Sequence, residues 1–204
     1  MFSSLLYQAR AWPIVWRGRL FIYWLRGEKD GLAFFAMLGA PIVGLGLIVY
    51  FAYADGLRIA AAAERTRIEA ARQRGVDLRC LAENIYFEAR GEPLAGQRAV
   101  AEVTLNRVAS PYFPDSICEV VHEARWDPLR KRRVAAFSWT ELHVRREPRG
   151  AAWREAMAAA TVVYDDVHTP VVPGALFYHA TYIDPYWAKT KKSVATIGHH
   201  VFYR

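Results

Sequence analysis

The sequence predicts a mainly α chain built from one membrane-spanning helix, a helical stalk and a soluble C-terminal domain. Three observations predict it. Residues 32–54 form an uncharged apolar run, residues 55–77 are rich in Ala, Arg and Glu, and from residue 78 apolar side chains recur at helical spacing. The chain has 204 residues, so what remains after the apolar run is long enough for one domain with a real core. Its formal net charge of +7 suits an anionic partner, whether nucleic acid, phospholipid or an acidic polymer.

The run LAFFAMLGAPIVGLGLIVYFAYA (Leu32 to Ala54) is long enough to cross a hydrocarbon core of roughly 30 Å as a helix. Pro41 and Gly44 would weaken a helix in water but are tolerated in a membrane span. Tyr50 and Tyr53 near one end, and Trp24 before the other, are placed as interfacial aromatics. Ala52-Tyr53-Ala54 resembles a signal-peptide cleavage site. The apolar run nevertheless exceeds the usual h-region of roughly 7–15 residues, and a long segment precedes it. Residues 1–31 are read as a cytoplasmic or interfacial segment, with 11–25 as a helix lying on the inner leaflet or an ordinary flank. Arg26 and Lys29 against Arg58 place the N-terminus inside, although cations flank both ends of the span.

Residues 55–77 contain good helix formers and few apolar side chains other than alanine. Glu64 faces Arg67 and Glu69 faces Arg72 at i+3, which adds small surface support. Without a sustained Leu/Ile heptad, a solvated stalk is expected and not a coiled coil. Gly75 is expected to end this helix.

The domain over 78–204 begins with a stretch in which Leu81, Ile85 and Glu88 fall at i, i+4 and i+7. A carboxyl thus stands at the end of an apolar stripe, with Asn84 beside it. Gly91 and Pro93 stop this helix. A second helix is expected over Leu94 to Val108, with Val100, Val103, Thr104 and Val108 as its buried stripe. Ser110-Pro111 and Phe113-Pro114 end it. A half-buried carboxyl has its charged form disfavoured, so its pKa rises and it can protonate a glycosidic oxygen near neutral pH. On spacing alone, a helix-terminal Glu paired with Arg90 or Arg107 is the commoner meaning of such a residue.

The stretch ENIYFEARGEPLAGQRAVAEVTLNRV, continued by ASPYFPDSICEVV, closely resembles the SleB/CwlJ-like cell-wall hydrolases, the catalytic domain of spore-cortex-lytic enzymes. FSWT at Phe137–Thr140, FYHATYIDPYWA at Phe177–Ala188 and IGHHVFYR at Ile197–Arg204 fit the same family in the same order. The resemblance covers roughly 78–204. It implies a lysozyme-like α+β fold, mainly helical with a small β element, and action on peptidoglycan glycan strands. It also implies that the first Glu of EARGE, Glu88, is the catalytic residue. The chain departs from the spore enzymes in having no peptidoglycan-binding repeat and in carrying an apolar span, so an envelope role fits better than germination.

A glycosidase of this kind needs an acid and something to stabilise the cation at the anomeric carbon. Glu92, Glu102, Asp115 and Asp184 are the candidate second carboxylates, and no pattern singles one out. The family resemblance favours a lone Glu88 acting as acid and then base. The substrate's N-acetyl group would stabilise the cation, and a 1,6-anhydro sugar would result, as in lytic transglycosylases. Flat apolar faces and polar groups for a sugar groove are expected from Tyr86, Glu92, Gln97, Ser138, Trp139, His179, Tyr182 and Trp187. Tyr178 supplies the same chemistry, and Asn106 is an alternative to Gln97. Phe137, Phe177 and Phe202 are expected in the core.

Arg125, Arg130, Lys131, Arg132, Arg133, Arg145, Arg146 and Arg149 make a basic region, usually a solvated face. No nucleic-acid-binding signature accompanies it, so nucleic acid is set aside as a partner. No cofactor is expected. The histidines His122, His143, His168, His179, His199 and His200 show no HExxH-type spacing, which weighs against a metal-dependent amidase. A non-catalytic glycan-binding protein is the other rival. Cys80 and Cys118 are either a disulfide or two separate buried thiols by count alone. A peptidoglycan substrate puts 55–204 in the periplasm or other extracytoplasmic space, tethered to the inner membrane, and that compartment favours the disulfide.

Overall fold

The computed structural model describes residues 30–128, 130–141 and 147–204, with side chains from residue 38 onward. The segment 11–25, Trp24, His143, Arg145 and Arg146 lie outside the described residues. The chain divides into two compact units, Met1–Thr66 and Arg67–Arg204.

One helix, α1 (Asp30–Ala89), belongs to both units. Gly75 does not end it, contrary to the sequence expectation. A helical Gly costs only about 1 kcal/mol against Ala, and the Ala, Arg and Glu residues on either side propagate the helix through it. The stop comes after Ala89, as Gly91 and Pro93 predict. Gly91 takes a φ of 93°, a left-handed conformation that favours glycine, and Glu92 N–H closes the end on Ala89 C=O at 3.0 Å.

In the first unit, the large apolar side chains of α1 described from Leu38 onward are exposed. Ile42, Val43, Ile48 and Val49 are each 60% exposed or more. The helix is long and apolar enough to cross a membrane.

The second unit begins within the stretch read as a stalk. Arg74 pairs with Asp165 at 2.7 Å and Asp77 accepts from Tyr164, so residues from 67 onward fold with this unit. Helix α2 (Leu94–Val108) is its centre. On one side Val100 and Ala101 join Leu78, Leu81, Ile85 and Ala89 of α1, Ile117 and Val121 of α3 (Ile117–Val121), and Ala156, Ala160 and Val163 of α5 (Gly150–Tyr164). On the other side Ala99 and Val103 meet Val172, Ala175 and Phe202. A helix packed on two sides buries more than one stripe, which is why Gln97, Glu102 and Arg107 are buried as well.

Two small antiparallel sheets complete the unit. Strands β1 (Ala124–Asp127) and β2 (Arg132–Ala135) pair as a hairpin. A short α4 (Ser138–Glu141) follows, and its Glu141 carboxylate accepts from Ala135 N–H at 2.7 Å, fixing the end of β2. Strands β3 (Phe177–Ala180), β4 (Ser193–Ile197) and β5 (His200–Tyr203) form a sheet in the order β3-β5-β4. A 3-10 turn at Tyr186–Thr190 lies between β3 and β4.

A disulfide joins Cys80 of α1 to Cys118 of α3, with 5.3 Å between Cα atoms. It closes a separation of 38 residues, a loop for which chain entropy predicts about 4 kcal/mol of stabilisation.

Candidate active site

Glu88 sits in the last turn of α1, at the end of the stripe formed by Leu81 and Ile85. It is half-buried. Tyr178 of β3 donates its hydroxyl to Oε2 at 3.2 Å. Burial raises the Glu88 pKa above the ordinary glutamate value, and the Tyr178 hydrogen bond and the Arg107 charge oppose that rise without cancelling it. Tyr178 is held well above the usual phenol range, first by enclosure of its hydroxyl and then by the Glu88 charge. It therefore remains a donor at neutral pH.

Arg107 comes from the last turn of α2 and is buried. Its Nε donates to Leu176 C=O at 2.8 Å, and its guanidinium lies over the rings of Phe113 and Phe137 at 5.2 and 5.1 Å. Nη1 has no hydrogen-bond partner among the described residues. Burial lowers the Arg107 pKa, and the nearby Tyr178 and carboxylates oppose this.

An open cleft of about 960 Å³ surrounds Glu88. Tyr86, Ser138, Trp139, His179 and Tyr182, five of the expected groove residues, line it. Trp139 stacks on Phe87 at 4.6 Å and donates Nε1–H to Asn84 Oδ1 at 3.1 Å. Asn84 is fully buried and donates in turn to Thr104, so the tryptophan wall is fixed from the core. His179 has Nδ1 at 2.9 Å from Ala180 C=O and Nε2 at 2.9 Å from the Tyr203 hydroxyl. A carbonyl only accepts, so the chemistry of these partners assigns the proton to Nδ1, and Nε2 accepts from Tyr203. Tyr182 is 84% exposed, with its ring in solvent at the rim.

Three expected groove residues stand elsewhere. The Glu92 carboxylate accepts from His199 N–H at 3.0 Å and from His199 Nδ1 at 2.9 Å. It thereby fastens the β4–β5 turn, whose Gly198 has a φ of 57° and no room for a Cβ beside that carboxylate. Gln97 is buried and donates to Glu92 C=O at 3.2 Å. Trp187 packs edge-on to Tyr203 at 5.6 Å and lines a second cleft. Phe202 is fully buried as expected, whereas the buried Phe137 also forms part of the cleft wall.

None of the four candidate second carboxylates lines the Glu88 cleft. Glu102 accepts from the backbone N–H groups of Val171 and Val172 and lies 2.8 Å from His168 Nε2. Asp115 is exposed, and the exposed Asp184 pairs with Lys189 at 3.7 Å. The carboxylate that does share the cleft is Glu147, together with Arg90, Arg149 and His200. Glu147 follows a run of arginines and precedes Pro148, where no periodicity marks a position as facing inward.

An acid held above its ordinary pKa, in an open cleft walled by aromatic rings and polar side chains, has the make-up of a general-acid site for a saccharide. Residues 91–203 match the cell wall hydrolase family. The spore cortex-lytic enzyme of Bacillus subtilis is 34% identical over 126 residues, spanning 62% of this chain and 37% of the relative. The enzyme of the same name from Oceanobacillus iheyensis is 32% identical over 126 residues, spanning 62% and 41%. The chain thus covers well under half the length of these curated relatives. Among solved structures, the catalytic domain of the germination-specific lytic transglycosylase SleB from Bacillus anthracis is 29% identical, covering 63% of this chain and 93% of that one, with a TM-score of 0.47.

The chain belongs to the cell wall hydrolase family. Glu88 lies just ahead of the segment that the family match spans.

Proposed function

We propose that this protein cleaves peptidoglycan glycan strands between N-acetylmuramic acid and N-acetylglucosamine, with Glu88 as acid and then base. The observation that carries the reading is the half-buried Glu88 carboxyl with Tyr178 on one oxygen and an open cleft around it. Tyr178 occupies Oε2, which leaves Oε1 to carry the proton. Burial favours the protonated form of that carboxyl, which is the form that donates. Donation to the glycosidic oxygen breaks the C1–O bond, and the substrate's N-acetyl oxygen stabilises the cation. The Glu88 carboxylate then removes the proton of the sugar's 6-hydroxyl as that oxygen bonds to C1. The product is a 1,6-anhydro end, and Glu88 is protonated again. The name of the relatives, spore cortex-lytic enzyme, supports a cell-wall substrate.

A second reading has one observation behind it: Glu147 lines the same cleft. There it could activate water for direct hydrolysis, as the second carboxylate of a glycosidase does. Digestion of purified cell walls separates the two. Under the first reading, wild type releases fragments one water lighter than hydrolysis products, Glu88→Gln releases none, and Glu147→Gln still releases them. Fragments that carry the water, lost in Glu147→Gln, would establish hydrolysis instead.

The apolar, exposed face of α1 supports a membrane anchor through residues 32–54, with the catalytic unit on the extracytoplasmic side. A C-terminal alkaline phosphatase fusion should be active. An inactive fusion would overturn this topology and, with it, access to the substrate.

A further inference from the structure

A second cleft, of about 700 Å³, lies next to the first, and Arg107 and Ala136 line both. Its walls are rich in flat rings. Trp126 of β1 is 63% exposed, and Tyr186, at the start of the 3-10 turn, is 80% exposed. Trp187 stands beside them, held at 5.9 Å from the Phe177 ring and 5.6 Å from His179. Large aromatic faces left open to water around a concavity signal a ligand more than a core.

Two of the three arginines that line this cleft are already paired with carboxylates. Arg125 pairs with Glu123 and also donates to Tyr112 C=O. Arg130 pairs with Asp127 at 3.6 Å. Arg107, buried beneath both clefts, keeps one nitrogen without a partner among the described residues, a donor that a sugar hydroxyl or N-acetyl oxygen can meet. Sugar rings need stacking faces and hydrogen-bonding groups, and this cleft offers both.

We propose that the second cleft binds further sugar units of the same glycan strand, as a continuation of the groove beyond the cleavage site, with Trp126 and Tyr186 as its stacking faces. The proposal rests on the glycan-cleaving reading above. A linear polymer crossing the Glu88 cleft continues into a neighbouring concavity, and this one adjoins through Arg107 and Ala136. Occupying it would favour long strands over short ones.

The full chain in detergent, as wild type, Trp126→Ala, Tyr186→Ala, the double variant and Trp126→Phe, is assayed on peptide-free glycan strands sorted by length. Both residues are exposed, so neither alanine variant opens the core. The double variant should lose about tenfold or more in kcat/KM on long strands. It should stay within about twofold of wild type on the shortest strand that is cleaved, and Trp126→Phe should retain most activity on both. Equal loss on long and short strands overturns the proposal, as does no loss on either. Loss seen only when the strands still carry peptide would assign the cleft to the stem and overturn it too. Glu88→Gln is run alongside. If it cleaves like wild type, the catalytic reading fails and takes this proposal with it, whereas an inactive Glu88→Gln beside unaffected ring variants defeats this proposal alone.

Discussion

Glu88 and Glu92 stand one helical turn apart in sequence, in the same EARGE motif, and the fold sends them in opposite directions. Glu88 is in the last turn of α1, half-buried, and among the described residues Tyr178 donates its one hydrogen bond. Its pKa rises because burial outweighs that bond and the Arg107 charge. Glu92 lies past the break at Gly91. Burial pushes it upward too, but two hydrogen bonds from His199 and the charges of His200 and His199 outweigh it and leave it below the ordinary value. Two identical side chains are thus shifted in opposite directions, one toward its protonated form and one toward its charged form. The difference is the number of donors that each carboxylate meets, not the depth of burial alone.

The largest expected effect tests Glu88 as a donor. Glu88→Gln should lower the rate of cell-wall cleavage by roughly 10²–10⁴-fold, while Glu92→Gln should stay within about tenfold of wild type. Comparable losses for both would erase the contrast. The same Glu88 variant carries a stability sign. A carboxyl whose folded pKa is raised favours folding below its unfolded pKa and loses that contribution as pH rises through the folded one. Glu88→Gln should therefore melt no lower than wild type at neutral pH, and any gain should vanish in acid. A clear destabilisation at pH 7 would show that the burial cost has been misjudged.

The second effect concerns what holds the Glu88 helix. Cys80 ties α1 to α3 through Cys118, two turns before Glu88. Replacing both cysteines by serine should cost about 4 kcal/mol in denaturant unfolding. A midpoint unchanged from wild type would remove the disulfide from the account.

Smaller effects sharpen the Glu92 side. Glu92→Gln should cost about 1 kcal/mol near neutral pH through its charged hydrogen bonds. The sign is opposite to that of Glu88. A lowered folded pKa gives stability above the unfolded value, and that stability is lost as pH falls through the folded one. The deficit of Glu92→Gln should thus shrink in acid, and a deficit that grew there would reverse the assignment. Smallest is Tyr178→Phe. Without the hydroxyl, Glu88 loses a bond that favours its charged form, and the alkaline limb of the activity profile should move upward by a few tenths of a pH unit. Movement downward would contradict the role given to Tyr178.

The sequence made one half of this contrast legible and hid the other. The i, i+4, i+7 spacing of Leu81, Ile85 and Glu88 placed a carboxyl at the end of a buried stripe, and the bounds of α2 followed from Leu94 and the prolines after Val108. Those are local patterns. Glu92 is expected in the groove, but its partners come from the β4–β5 turn more than a hundred positions away. Arg107 shows the same limit. Its place beneath the cleft depends on Leu176, Phe113 and Phe137, which only the folded chain brings together. Gly75 failed as a stop because the helix formers on either side outweigh one glycine. Tyr178 was visible as an aromatic, but its bond to Glu88 required the register of β3.

The contrast can be measured in a single sample by labelling glutamate side-chain carboxyl carbons and following Glu88 and Glu92 by NMR as pH is varied. The account predicts a Glu88 midpoint above the ordinary 4.5 and a Glu92 midpoint below it. A Glu88 that titrates at or below Glu92 would contradict the claim that the fold prepares Glu88, and not its neighbour, to deliver a proton.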